Sequence, residues 1–526
     1  MIKKNTYRNA WILLLITTHA YSSEELRGIS IFSPRAQHDN AARDISGWHP
    51  YIHRYNAEKN YLSFAVTPSY NQSLRPERIS LALFNNDTFS VTGSQVPDRD
   101  NTNELLADYF GLSPDFSSDV FFKPCIKNLL IDGVIYFGFD SWAKGLYLQL
   151  RTLGVWTQWD LHMSEQVLEP GITTPFPAGY MGTQATPAPY TSFTQALKGT
   201  QSYAEVEKLQ FGKINGAQSI SGISDVEIVF GYDFISREDA HFGMNVRVNA
   251  PTGSRTKGKY FFEPRVGNGK LWECGLGFTG HVKVWEKDGD QELGFFVDAN
   301  FTHFCKGKEH RSFDFLQTGT QATQIGFFSR YILAKEFNND GMFDEKILPS
   351  INFTTLACNV HVDLQVDAVL MFGYTYKDFL FDIGYNGWIR SREKVSLREC
   401  IPAQRYGLKG VQYAINPITH TPSNLTESKA TIFETQPIII PDDPSPVFVT
   451  TQDLNLRSAA SPLLLTHKFF WHFAHAFTNK PYRSSIPFLG IGAEIEFEGI
   501  NERNAYQPDR TTMGQASVWI KTGCMF

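Results

Sequence analysis

Three groups of residues in this chain carry side chains of types that could do chemistry. The first is His361, Asp363 and Asp367, within NVHVDLQVD. Residues two apart on a strand share a face, so His361 and Asp363 would lie roughly 6.5 Å apart, a gap that one water could bridge for proton transfer. The same spacing also makes a plain polar lining for a water-filled interior, which is the simpler reading. The second group is His472 and His475 in WHFAHAF. Three apart on a strand, they point to opposite faces and cannot share a metal ion. The third is Glu494, Glu496 and Glu498, three like charges on one face. On a dry surface they would repel and raise one another's pKa, whereas a wet interior tolerates them. The six cysteines, at 125, 274, 305, 358, 400 and 524, form no Cys-x-x-Cys pair and no cluster. Neither a metal nor any other cofactor is expected from that spacing. Cys274 and Cys305 flank one expected hairpin and could face each other, bonded or free. No catalytic residue is assigned, and the chain does not read as an enzyme.

Such residues need a sheet to hold them, and 359–391 shows which kind. From Val360, every second residue is apolar: Val360, Val362, Leu364, Val366, Ala368, Leu370, Phe372, Tyr374 and Tyr376. The other parity begins Asn359, His361, Asp363, Gln365, Asp367. Side chains alternate faces along a strand, so one face meets an apolar medium and the other meets water. The run 359–376 far exceeds the ~5–6 residues of a usual strand. Aromatics collect beside Lys377-Asp378, as they do at a membrane interface. Beyond that turn Phe379, Phe381, Ile383 and Tyr385 continue one face, and Asp382, Asn386 and Arg390 the other. A two-residue turn sets Tyr376 against Phe379, Phe372 against Ile383, Gln365 against Arg390 and Asp363 against Arg392. The hairpin therefore reads as membrane-spanning. Val362, Leu364, Val366, Phe372, Tyr374 and Tyr376 are expected to face lipid.

Composition agrees with a membrane barrel. Charged residues make up 19% of the chain, against ~25% in soluble domains. The net charge of −6, with no basic run, argues against nucleic acid as a partner. Residues 1–20 read as a signal peptide, with Lys3, Lys4 and Arg8 before AWILLLI and a small-residue cleavage site at Thr18-His19-Ala20. No later apolar run reaches the ~18 residues a spanning helix needs. Residues 21–58 are mixed and polar, and would be a lead-in, a plug folded into the lumen, or a first strand.

From residue 59 the chain reads as barrel. Alternation places strands near 60–70, 78–93, 125–139, 145–160, 223–236, 240–250, 270–286, 291–305, 359–376, 379–391, 463–478, 485–500 and 511–526. Strands 125–139 and 463–478 are apolar on both parities. Residues 102–111 read as a short helix. Connections alternate short and long along the chain, as short periplasmic turns and long outer loops do. The expected fold is all-β, an up-and-down antiparallel transmembrane barrel of about 14 strands, within a range of 12–16. Thirteen strands is odd, so one more is expected before residue 60. A barrel of this size leaves a channel or holds a plug. Expected inward acids are Asp225, Glu227, Asp233, Glu273, Glu292, Asp298, Asp363, Asp367, Asp382, Glu494, Glu496 and Glu498; bases are Arg151, Arg247, Lys283, Arg390, Lys468 and Lys521. That excess of acid implies a mild cation preference.

The chain ends VWIKTGCMF. A closing strand with a terminal aromatic, here Phe526, resembles the assembly signal of bacterial outer-membrane barrels, with Cys524 where an aromatic or bulky apolar residue is usual. The resemblance implies the barrel-assembly machinery as a partner and the bacterial outer membrane as the location. Asn249-Ala250-Pro251-Thr252-Gly253, followed by VGNGKLWECGLGFTG, resembles the Pro-Thr-Gly loop of 14-stranded fatty-acid-transporter and phenol-pathway channels. The hatch motif Asn-Pro-Ala of the fatty-acid transporters is missing from 33–50. The expected function is a porin-like channel passing small solutes passively, with outer-membrane lipid around it. A hydrophobic-substrate transporter and a secreted or surface β-rich binding protein are the alternatives.

Overall fold

The structure, a computed structural model, describes residues 29–55, 59–84, 86–101, 103–173, 188–200, 206–316, 328–341, 343–409, 432, 448–478, 485–499 and 513–526. The expected signal peptide lies outside the described residues, as do most of the Pro-rich stretches 170–190 and 416–446.

Twelve strands close a ring. They are β1 (Tyr61–Ser73), β2 (Cys125–Gly138), β3 (Leu146–Asp160), β4 (Gln218–Ser236), β5 (Ala240–Ala250) and β6 (Glu273–Lys287). The other half is β7 (Gln291–Ser312), β8 (Thr355–Tyr376), β9 (Phe379–Arg390), β10 (Leu464–Ala476), β11 (Ile486–Glu498) and β12 (Gln515–Met525). Each pairs antiparallel with its chain neighbours, and β12 returns to β1 with Phe64 opposite Cys524. Closure matters because an open edge would strand backbone N–H and C=O groups in lipid. A further short strand, Glu393–Leu397, pairs outside the ring with the upper part of β8.

The outer face carries a belt of exposed apolar side chains. Ile131, Phe230, Val246, Leu370, Phe372, Ile383, Phe469, Ile491, Val518 and Ile520 are each about half exposed, from 46% to 62%. Water penalises a patch of that extent, and a bilayer satisfies it. The expected register of the central hairpin holds: Gln365 faces Arg390, Phe372 faces Ile383 and Tyr376 faces Phe379. Leu364, Val366, Phe372, Tyr374 and Tyr376 lie on the outer face.

Three expectations change. The strand placed at 78–93 is α2 (Pro76–Phe84), followed by a short strand Thr88–Thr92 in a separate four-stranded sheet. Ile79, Ala82 and Leu83 bury one helical face, and Pro76 stands at the helix start, where its missing N–H costs nothing. The connections expected on either side of it fuse into one long loop, 74–124. Strand number becomes even at twelve, with no additional barrel strand needed before residue 60. The helix expected at 102–111 is a two-residue strand, Leu105–Leu106, and one 3-10 turn, Ala107–Phe110.

The third change is a β-bulge. Opposite β7, Gln365 pairs with Thr302, while Val362 pairs with Phe304, which leaves one extra residue on β8. An extra residue inverts which parity faces inward. Val362 is therefore buried against Leu271 and Phe304 rather than lipid-facing. His361 and Asp363 turn outward, where Asp363 meets Lys394 at 2.6 Å. Lys394, not Arg392, is the basic partner of Asp363.

The long connections all leave from one end of the barrel, and their described parts fold into a cap with its own core. Phe84 stacks on Phe122 at 4.1 Å and on Phe261 at 5.2 Å, beside Phe328 and Tyr331. Leu370→Arg, near mid-belt, should cost ~2–4 kcal/mol of unfolding free energy in lipid vesicles. Gln149→Arg, facing the interior, should cost below about 1 kcal/mol by the same measure; equal losses would contradict the two-faced wall.

Candidate functional site

Residues 29–53 run down the lumen, from the cap to the opposite mouth. At the top, Phe32 packs in the cap core against Trp159 and Phe262. At the bottom, His53 Nδ1 lies 2.9 Å from Asp233 Oδ2. Between them, Asn40 caps α1 (Ala41–Ile45) by accepting from the Arg43 amide. Asn, with its short side-chain carbonyl, is a preferred residue for starting a helix in this way.

The wall's charges are met by this segment. Arg35 bridges Asp367 at 2.8 Å and Glu496 at 3.1 Å, and donates to Asn386 Oδ1 at 2.9 Å. Asn40 Nδ2 donates to Glu494 at 2.9 Å, and Lys468 on β10 reaches the same carboxylate at 3.2 Å. Arg151 holds Asp132 and Asp44 together, each at 2.5 Å. Lys521 donates to the carbonyls of Arg43, Asp44 and Ser46 at 2.5, 3.0 and 2.7 Å. A cation there complements the negative end of the helix. Asp382 accepts from the Gly47 amide at 2.6 Å and lies 3.1 Å from His49 Nε2. Gly47 has φ +64, and a Cβ would collide with the His472 ring at 2.0 Å. Near the cap, Arg390 donates to the Ser33 carbonyl at 2.6 Å, and Arg311 reaches Glu393 at 2.5 Å and Glu309 at 2.8 Å. Unpaired, such charges would each cost several kcal/mol.

Burial also shifts the segment's own groups. It drives the Asp44 carboxyl up to about 7, with the Arg151 guanidinium pulling the other way. Asp39 rises to about 7 for the same reason, opposed by His38. Burial alone would lower the His38 imidazole, but Asp39, Glu273 and Asp225 raise it to about 10.

The segment does not fill the barrel evenly. α1 packs on β8 and β9, and Tyr51 stacks on Phe488 of β11 with Trp48 tilted against the same ring. On the other side a cavity of about 70 Å³ remains, lined by Asp132, Tyr147, Arg151, Glu227, Arg247 and Asp298 among others. Its walls come from both the segment and β1–β7.

Of the residues expected to line the lumen, Asp225, Glu227, Asp233, Arg247, Asp367, Asp382, Arg390, Glu494, Glu496 and Glu498 all face inward. His361 and Asp363 do not, for the bulge described above. His472 points inward and is fully buried; His475 lies against Phe379 and Phe477 on the outside. Cys274 and Cys305 are both free thiols. Phe526 stacks on Phe64 across the closing pair, with ring centroids 6.1 Å apart. Sequence reasoning missed Asp132 and every partner contributed by 29–53. The signal was present as a surplus of inward acids beside an unassigned stretch that carries two Arg and three His within 29–53.

No protein-family model matches the sequence. No curated relative matches it either. Solved structures do. An outer membrane channel from Pseudomonas putida F1 matches with 10% identity over 89% of this chain and 97% of its own, at a TM-score of 0.33. A deletion mutant of the TodX monoaromatic hydrocarbon channel matches with 8% identity over 95% and 96%, at 0.32. The Pseudomonas putida toluene transporter TodX matches with 10% identity over 95% and 96%, at 0.25.

Gly47→Val should dislodge the segment and leave the wall closed. Amide hydrogen exchange should quicken across residues 40–50 while β8–β12 stay protected. Unchanged exchange in 40–50 would contradict the packing of Gly47 on His472.

Proposed function

We propose that this protein is a channel of the bacterial outer membrane that passes small solutes, with residues 29–53 as the obstruction that governs passage. One observation carries the reading: a closed wall, greasy outside, whose inner charges are answered in part by a separable segment, Arg35 on Asp367 and Glu496 above all. The cavity along β1–β7 marks where solute moves when the segment shifts. Insertion would depend on the barrel-assembly machinery reading the last strand and Phe526. No catalytic step is assigned to the lumen.

With the segment seated, Arg35, Arg43 and the histidines offset the acids of the wall. Withdrawn, it leaves Asp367, Asp382, Glu494 and Glu496 facing water, so the open state prefers cations. The cap offers a specific reason for a second reading, transport of hydrophobic molecules. It holds a largely apolar pocket of about 40 Å³ lined by Tyr109, Phe110, Tyr190, Leu209, Tyr331 and Leu333.

Planar-bilayer recording separates these. The full chain should show small or rare openings, and a chain lacking residues 29–53 should show large, sustained ones with a cation-selective reversal potential. Identical conductance in both would refute the obstruction, and anion selectivity would refute the charge argument. Saturable binding of a fluorescent fatty-acid analogue, lost on Leu209→Glu, would favour the second reading.

A further inference from the structure

His38 lies between two carboxylates that it does not hydrogen-bond. Its Nε2 stands 3.4 Å from Asp39 Oδ1 and 3.5 Å from Glu273 Oε1. Charge-assisted N–H···O bonds run ~2.7–2.9 Å, so these separations are long for an imidazolium paired with carboxylates. Nε2 has no hydrogen-bond partner, nor has Asp39 Oδ2, although both atoms are shielded from water and His38 is only 6% exposed. A buried polar atom left unsatisfied is costly, and an absent ion is one of the few explanations.

The separations fit an ion. Ligand atoms at ~2.0–2.1 Å from a tetrahedral zinc stand ~3.3–3.4 Å from one another. One atom each from His38, Asp39 and Glu273 lies within 4.8 Å of the other two. The surroundings resemble the outer layer of a metal centre. His38 Nδ1 faces Ser224 Oγ at 3.1 Å and Asp225 Oδ2 at 3.5 Å, so Nε2 presents its lone pair once a cation displaces the proton that the surrounding carboxylates favour there. Glu273 is oriented by Asn268 Nδ2 at 2.6 Å and Asn249 Nδ2 at 2.8 Å, both uncharged. Asp225 is held by the amides of Gly253 at 3.3 Å and Asn268 at 3.1 Å. The Pro-Thr-Gly turn thus closes over this corner of the lumen. Gln37, next in the chain, is tied by bonds to the Arg265 carbonyl and the Gly267 amide. Asp39, Glu273 and Asp225 set three carboxylates around a single histidine, and Arg35 is engaged by Asp367 and Glu496.

We propose that His38, Asp39 and Glu273 form a site for one first-row divalent cation, such as zinc, that joins the lumen segment to the start of β6. One imidazole nitrogen and two carboxylates suit zinc or its neighbours better than magnesium or calcium, which prefer all-oxygen shells. The protein supplies three ligands, leaving a fourth position for water. This assignment does not depend on the channel reading.

The test uses the full chain in detergent, without a histidine tag, equilibrated with zinc chloride and passed through gel filtration. Elemental analysis should find one zinc per chain, retained against excess magnesium and calcium. Cobalt chloride in place of zinc should give visible absorption bands that zinc abolishes. His38→Ala and Glu273→Gln should each weaken binding more than the ~10–100-fold typical of losing an outer partner. Heat-modifiable gel migration will show that the variant barrels are closed. Should His38→Ala not close, the nearly isosteric Glu273→Gln decides alone. Retention below about 0.1 zinc per chain in the unaltered protein, or undiminished retention in a closed variant, would overturn the site and leave an ordinary buried ion-pair cluster.

Discussion

A charge inside a barrel must find an opposite charge, a donor or water, and most features of this molecule follow from how that is arranged. The wall alone cannot satisfy itself. Glu494 and Glu496 share one short stretch of β11, with Lys468 as the nearby base of the wall. Arg35, Asn40, Gly47 and His49 supply the rest from a segment that precedes the first strand. The breaking of one partner in such a buried set is penalised more heavily than the set is rewarded for forming. The donors of 29–53 and the acids of the inner wall are therefore satisfied together.

The arrangement is lopsided, and the asymmetry gives the lumen a direction. The segment leans on β8–β12, where Gly47 permits contact with His472 that no larger residue would allow. Across from it the wall of β1–β7 keeps open space lined by ion pairs such as Arg151–Asp132 and Arg247–Glu227. Those pairs lie within the wall itself, so they persist if the segment moves. A molecule built in this way can shift its contents without unmaking its ring.

Much of the ring was legible in period-two alternation, because a wall with lipid on one side and water on the other admits little else. The hairpin register around Lys377-Asp378 and the inward acids of β4, β9 and β11 came from that alone. Alternation failed where its premise failed. At 78–93 the chain leaves the wall, and Ile79, Ala82 and Leu83 obey helical spacing. At Asp363-Leu364 one inserted residue inverts the faces, a change invisible to any count that starts on one side. The apolar inner residues that blurred 125–139 and 463–478 have a plain cause. Leu130 packs on Leu153, Val155 and Val266, and Phe470 lies in a cluster with Ala41, Ala42 and Ile45. The segment 29–53 could not be read from periodicity, since it has none. The grouping of His38 and Asp39 with Glu273 was beyond reach as well, because only the fold brings positions so far apart in the chain together.

The account rests on residues 29–53 standing within the ring and neutralising its wall. Asn40→Cys with Glu494→Cys, in a chain whose native cysteines are replaced by serine, tests this in intact outer membranes. The two positions are linked here by a 2.9 Å hydrogen bond. A short, reducible thiol cross-linker should join them in most molecules, and cleavage between the segment and β11 should leave the fragments bound until a reductant is added. Absence of the link in barrels that still migrate as closed species would mean that the lumen is filled by something else or by nothing.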